Sequence, residues 1–158
     1  MVSEQAQAFE SWNGLAQQAR GLLAGENHRI ANAANLAALI FNSVPDLNWA
    51  GFYFVEQGEL VVGPFQGQPA CVRIAPGKGV CGTAMVTRGT QRVEDVRAFA
   101  GHIACDPNSR SEVVVPLILN DEVIGVLDID SPKPGRFSED DARGFERLAE
   151  IYVESLAG

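Results

Sequence analysis

"EVVVPLILNDEVIGVLDID", from Glu112 to Asp130, consists of two apolar runs of strand length on either side of Asn120-Asp121. β-Branched residues fill both runs, and an Asn-Asp pair tolerates the left-handed backbone that a tight two-residue turn requires. The stretch therefore predicts an antiparallel hairpin. Side chains alternate along a strand, so Ile124, Val126, Asp128 and Asp130 are expected on one face, with Val123, Gly125, Leu127 and Ile129 on the other. Two carboxylates then stand roughly 7 Å apart at the end of an otherwise apolar face. They are either a polar strand end that reaches solvent, or a functional pair: an anionic clamp for an ammonium group, or a carboxyl whose raised pKa lets it donate a proton. Glu112 opens the preceding strand and either joins them or is a solvated strand-end charge.

Working outward, "NWAGFYFVEQGELVVGPF" (residues 48–65) reads as a second hairpin turning at Gln57-Gly58, and "ACVRI" (70–74) as a further extended stretch. "GKGVCGTAMVTRG" (77–89) predicts a short helix opened by glycine and ended by Gly89. "TQRVEDV" (90–96) is a short strand. Ahead of the strands, "SEQAQAFESWNGLAQQARGLLAG" carries Ala8, Trp12, Leu15, Ala19, Leu22 and Leu23 at helical spacing, with Ser3 and Gly25 as candidate caps. "NHRIANAANLAALIFNSV" continues with Asn27 as the expected cap and Pro45 as the stop. The last helix starts at Ser138, where Asp141 completes an S-x-x-D box. Helices, hairpin-joined strands and a final helix define an α+β fold, an antiparallel sheet with helices on one face and a loop-covered pocket on the other.

Composition narrows the function classes. The chain has 158 residues, the length of one ordinary domain over 1–158, and 46% of them are apolar. No apolar run nears the ~18–20 residues that span a membrane. The start, "MVSEQAQAFESW", lacks the basic-then-apolar pattern of a secretory signal, which places the protein in the cytoplasm. A net charge of −8, with scattered Lys and Arg, argues against nucleic acid and anionic membrane as partners.

The cysteines are Cys71, Cys81 and Cys105, spaced C-x9-C and C-x23-C. Neither spacing is that of a structural zinc site, and a Cys3His set completed by His102 is poorly spaced, so no metal is expected. Cys105 lies in "GHIACDPNSRSE" with few apolar neighbours, which makes it either incidental or reactive. Cys81 follows "GKGV" at a predicted helix N-terminus, where the dipole and Lys78 would favour a thiolate. Cys71 and Cys81 are alternatively small apolar residues of a strand and a helix. An odd cysteine count in a cytosolic chain leaves open a redox thiol pair. Trp49 and Tyr53, four apart on one strand face, are either core aromatics or an apolar wall for a small ligand. "GKGVCGT" lacks the spacing of a phosphate loop and suits a tight turn with close backbone approach.

"NWAGFYF", "GPFQGQPACVRIAPGKGVCGTA", "AFAGHIACDPNSRSEVVVPL" and "VIGVLDIDSP" together resemble the free methionine-(R)-sulfoxide reductases, small stand-alone GAF domains, over about residues 47 to 132. The resemblance implies an enzyme that reduces the free amino acid through a cysteine sulfenic acid and an intramolecular disulfide. It also implies a homodimer recycled by thioredoxin, with no bound cofactor. Carried over by position, Cys105 resembles the nucleophile, and Cys71 and Cys81 resemble the resolving positions, with Cys71 favoured. Trp49, Tyr53, Glu112, Asp128 and Asp130 resemble the substrate-pocket residues. The alternative within the same fold is a non-catalytic sensor of small ligands. Three cysteines, and a length that leaves no room for an effector domain, weigh toward the enzyme.

Overall fold

The computed structural model describes residues 11–101 and 105–157. The expected cap Ser3 and the candidate ligand His102 lie outside the described residues. Within them, α1 (Trp12–Leu23) and α2 (Arg29–Ser43) precede the hairpin of β1 (Trp49–Glu56) and β2 (Glu59–Gly67). The chain continues through β3 (Arg73–Ile74), α3 (Gly79–Thr87) and β4 (Gln91–Val93). A 3-10 turn (Val96–Ala98) then leads to the hairpin of β5 (Ser111–Leu119) and β6 (Glu122–Ser131), and α4 (Glu139–Ala157) ends the chain. Six strands form one antiparallel sheet in the order β3-β2-β1-β6-β5-β4. Both predicted turns form as read: Gln57, Gly58, Asn120 and Asp121 all have positive φ.

The helix ends differ in part from the sequence reading. Ser11 caps α1 through Gly14 N–H. α2 is capped by His28 rather than Asn27, because the His28 ring nitrogen accepts from both Ile30 and Ala31 N–H at 3.3 Å. α3 stops at Arg88, not Gly89: Arg88 takes the left-handed conformation at φ 58°, with its guanidinium held by Asp121. The S-x-x-D box of α4 closes reciprocally, with Asp141 N–H on Ser138 Oγ at 3.1 Å and Ser138 N–H on Asp141 Oδ2 at 3.0 Å.

α1, α2 and α4 cover one sheet face and bury Phe52, Phe54, Val113, Val115, Leu117, Leu127 and Ile129 against Leu36, Ile40, Phe145 and Tyr152. The opposite face packs Trp49, Tyr53, Leu60, Val114 and Val126 under α3 and its flanking loops. One face assignment needs correction. Ile124 packs with the helix-side core, not with Val126. A bulge causes this: Leu117 pairs with Gly125 and Ile118 with Val123, so Ile124 has no partner and the alternation slips there. Beyond the bulge the expected pattern holds, and Val126, Asp128 and Asp130 share the pocket face.

Candidate active site

The centre of the pocket face is a row of register partners. Trp49 on β1 opposes Asp130 on β6, which opposes Glu112 on β5; one step along, Gly51 opposes Asp128, which opposes Val114. The central strands thus hold three carboxylates side by side, and all three are buried, at 7% exposure for Glu112, 5% for Asp128 and 8% for Asp130. Of the two readings of the Asp128-Asp130 strand end, the solvent-reaching one is therefore removed.

Burial raises all three carboxyl pKa values, since it penalises the charged form. For Glu112 the neighbouring Asp128 and Asp130 charges push further upward, and for Asp130 the Asp128 charge does so. Asp128 differs: hydrogen bonds from Glu112, Cys81 and Asp130 oppose the effect of burial. Burial thus favours the neutral form across the cluster, least so at Asp128, where those hydrogen bonds work against it. Asp128 and Asp130 each keep one buried oxygen, Oδ1, without a hydrogen-bond partner.

Cys71 and Cys105 are joined by a disulfide across 34 residues of chain, with Cα atoms 5.3 Å apart. The β1 aromatics hold the Cys71 side of it. Tyr53 O–H donates to the Cys71 carbonyl at 3.1 Å, and Trp49 Nε1–H donates to the Gln68 carbonyl at 3.1 Å. Trp49 stacks on Phe65 at 5.0 Å and on Tyr53 at 5.8 Å. Desolvation, with the acidic cluster adding to it, raises the Tyr53 pKa and keeps its phenol protonated as that donor.

Cys81 lies in the first turn of α3, as its sequence context suggests, but in surroundings that oppose a thiolate. It is buried, outside the disulfide, with its thiol 4.0 Å from Glu112 Oε2. Burial first, then Asp128, Glu112 and Asp130, push its pKa well up, so burial among acids outweighs the helix terminus and Lys78, and the structure does not favour the thiolate. Cys81 Sγ and single oxygens of Glu112 and Asp128 lie within 4.8 Å of one another, the one group of metal-ligand type among the described residues. The Cys3His arrangement is not available, because the Cys71 and Cys105 sulfurs are bonded to each other.

Trp49, Tyr53, Cys81, Cys105, Glu112, Asp128 and Asp130 line one pocket, with Lys78, Asp106, Ser109 and the residues 69–70 at its rim. Cys71 is outside that lining and is bonded to Cys105. Arg110, close to Cys105 in sequence, turns to Asp95 at 3.0 Å, and its guanidinium holds the Asp95 carboxyl below the usual range. The residues that sequence reading missed are Asn48, Asp106 and Ser109. The turn-forming "DPNS" after Cys105 is the one local signal for Asp106 and Ser109, and Asn48 has none.

A helix-covered antiparallel sheet with a loop-walled pocket on its free face is the GAF architecture, and the GAF domain family matches residues 31–156. Protein YtsP of Bacillus subtilis is 51% identical over 145 residues, 90% of this chain and 89% of that one. The free methionine-R-sulfoxide reductase (fRMsr) of Escherichia coli is 50% identical over 148 residues, 94% of this chain and 90% of that one. The structure of the Staphylococcus aureus fRMsr in complex with its substrate superposes with a TM-score of 0.89 at 49% identity, covering 92% of this chain and 95% of that one. The chain belongs to the GAF family and, within it, to the free methionine-R-sulfoxide reductases. Among the described residues no helix is long and apolar enough to cross a membrane.

Proposed function

We propose that this chain reduces free L-methionine (R)-sulfoxide to L-methionine, with Cys105 as nucleophile and Cys71 as resolving thiol. The observation that carries the reading is the Cys71–Cys105 bond at a pocket walled by Glu112, Asp128 and Asp130. The fRMsr relatives support the substrate and the epimer.

The reaction begins from the reduced protein. The Cys105 thiolate attacks the substrate sulfur while a protonated carboxyl gives its proton to the sulfoxide oxygen, without which the oxygen leaves poorly. Glu112 and Asp130, whose carboxyl pKa values burial and neighbouring acids raise well above the usual range, fill that role. The oxygen passes to Cys105 as a sulfenic acid, and the substrate sulfur, gaining two electrons, leaves as methionine. Cys71 then condenses with the sulfenic acid, releasing water and forming the disulfide. Thioredoxin, an external dithiol, reduces it by exchange and carries away the oxidising equivalents. No bound metal or cofactor takes part in this sequence.

Asp128, whose charged form the hydrogen bonds from its neighbours favour against burial, pairs with the substrate ammonium. Lys78 and the N-terminal turn of α3 offer positive charge to its carboxylate. Trp49 and Tyr53 form the apolar wall for the methyl and methylene groups. A methionine sulfoxide inside a protein has no ammonium for Asp128 and leaves that charge unpaired, which gives selectivity for the free amino acid. Cys81, whose thiol pKa burial and the neighbouring acids push well up, stays outside the resolving step. Leu22 and Ile30, exposed apolar side chains on α1 and α2, support a homodimer through the N-terminal helices. The reducing cytoplasm, where thioredoxin is available, is the compartment this chemistry suits.

The test is thioredoxin-coupled NADPH consumption with the separated epimers of free methionine sulfoxide, and with the N-acetylated, amidated compound. Turnover confined to the free R epimer, and abolished in Cys105→Ser, is expected. Equal turnover of the blocked compound overturns the substrate reading.

A further inference from the structure

Asn48 precedes β1 and sits between the two halves of the site. Its backbone N–H donates to the Asp130 carbonyl at 3.0 Å. Its side-chain amide donates to Asp106 Oδ2 at 3.0 Å and to Ser109 Oγ at 3.0 Å. Asp106 and Ser109 frame the turn that follows Cys105. That turn is closed by Asn108 N–H on Asp106 Oδ1 at 2.9 Å and by Ser109 N–H on the Asp106 carbonyl at 3.2 Å. The segment rejoins the sheet at Arg110, whose N–H donates to the Ser131 carbonyl at 2.8 Å. Between Cys105 and that point, Asn48 is the side chain outside the turn whose hydrogen bonds tie it to the sheet, among the described residues.

The geometry of the amide carries a second clue. Asn48 Oδ1 is buried and makes no hydrogen bond, an unfavourable state for an acceptor. A flipped amide would present that oxygen to the Asp106 carboxylate and lose the donor. The amide's placement is therefore set by the loop it grips.

We propose that Asn48 is a positioning residue for the nucleophile: its amide fixes the Cys105 turn to the end of β6, holding the Cys105 sulfur in register with the carboxylates of that strand. The proposal rests on the reading of Cys105 as nucleophile. Asp106 has both carboxylate oxygens engaged, one by the turn's own backbone and one by Asn48. With Asn48 removed, Asp106 and the cysteine before it lose this side-chain tie, and the backbone bond of Arg110 is left to hold the segment to the sheet. A displacement of 1 Å at a reacting atom costs on the order of 10²-fold in rate. The same tether brings Cys105 to Cys71, so it also raises the effective concentration of one thiol at the other.

Two measurements test this, one of them independent of substrate. In steady-state assays of Asn48→Ala, kcat should fall about 10- to 100-fold with KM within about threefold, because the tether acts on the nucleophile and not on the ammonium site. In glutathione buffers, where oxidised glutathione takes two electrons from the Cys71/Cys105 dithiol, Asn48→Ala should favour the dithiol about 10-fold more than the parent does. Ser109→Ala, which keeps the amide–carboxylate bond, should move both quantities the same way by less. Asn48→Asp places two carboxylates together and should be worse than Asn48→Ala. The exchanged pair Asn48→Asp with Asp106→Asn restores a donor facing an acceptor, and should recover most of the loss. A merely structural asparagine would not be rescued by reversing the polarity of the pair. The proposal is overturned if Asn48→Ala keeps the parental kcat and thiol equilibrium, or if the exchanged pair is no better than Asn48→Asp alone. If the parent protein itself does not reduce methionine sulfoxide, the function reading fails, while the thiol equilibrium still decides the role of Asn48.

Discussion

Glu112 and Asp130 are register partners on adjacent antiparallel strands, facing the same pocket and both less than a tenth exposed. Burial raises both carboxyl pKa values and the Asp128 charge pushes both further up, so the pair retains a proton to higher pH than an isolated surface pair would. Activity should therefore need the protonated cluster and fall as pH rises through its raised pKa values. Glu112→Gln should lower kcat by about 10²-fold or more, the usual contribution of a positioned acid. A pH–rate profile that keeps its alkaline limb in both Glu112→Gln and Asp130→Asn would assign the proton elsewhere.

The same protons set the sign of a stability effect. Glu112, Asp128 and Asp130 have folded-state pKa values above those of the unfolded chain, chiefly through burial. The folded state thus binds more protons than the unfolded one. The cluster's contribution is fully favourable below the unfolded values near pH ~4, and is lost as pH rises through the folded values. Glu112→Gln removes one titration and should melt above the parent at pH 8 by a few degrees, at about 1.4 kcal/mol per pKa unit relieved. The gap should close toward pH 4. Calorimetry across that range checks it, and a variant less stable than the parent at pH 8 contradicts the burial argument.

The three thiols should separate cleanly in single-turnover experiments. Cys71 is bonded to Cys105, whereas Cys81 is buried, protonated and outside that bond. Without external reductant, Cys71→Ser should yield about one methionine per chain and leave a Cys105 sulfenic acid that dimedone labels. Cys81→Ser should still form the Cys71–Cys105 disulfide and turn over within about tenfold of the parent. Mass spectrometry of the labelled chains reads both, and dimedone labelling in Cys81→Ser but not in Cys71→Ser would exchange their roles.

Gly125 illustrates how closely the sheet is tied to the pocket. A Cβ at Gly125 would fall on the carbonyl oxygen of Tyr53, a backbone atom of the central strand that cannot step aside. Gly125→Ala should cost about 1–3 kcal/mol, measured by urea unfolding at unchanged m-value. It should also raise KM, because Tyr53 holds the Cys71 carbonyl and lines the pocket. A silent substitution would mean that β1 and β6 can part at this point without consequence.

Much of this protein is determined by its sequence alone. Asn120-Asp121 and Gln57-Gly58 specify two hairpins through local backbone preference, and the alternation from Val126 to Asp130 fixes which face carries the acids. Cys105, in a stretch too polar to bury it, is marked as unusual by its neighbours. These features depend on residues within a few positions of one another. Tertiary structure decided the rest, because it depends on groups that meet from distant parts of the chain. Whether Asp128 and Asp130 reach solvent was settled by α3 and the loops that cover them. The Cys81 pKa was raised by burial and by Asp128, Glu112 and Asp130 approaching from β5 and β6, against the local pull of the helix terminus. Asn48 carries no sequence mark of its role, since its partners lie 58 and 61 residues away and only the folded sheet brings them within hydrogen-bonding distance.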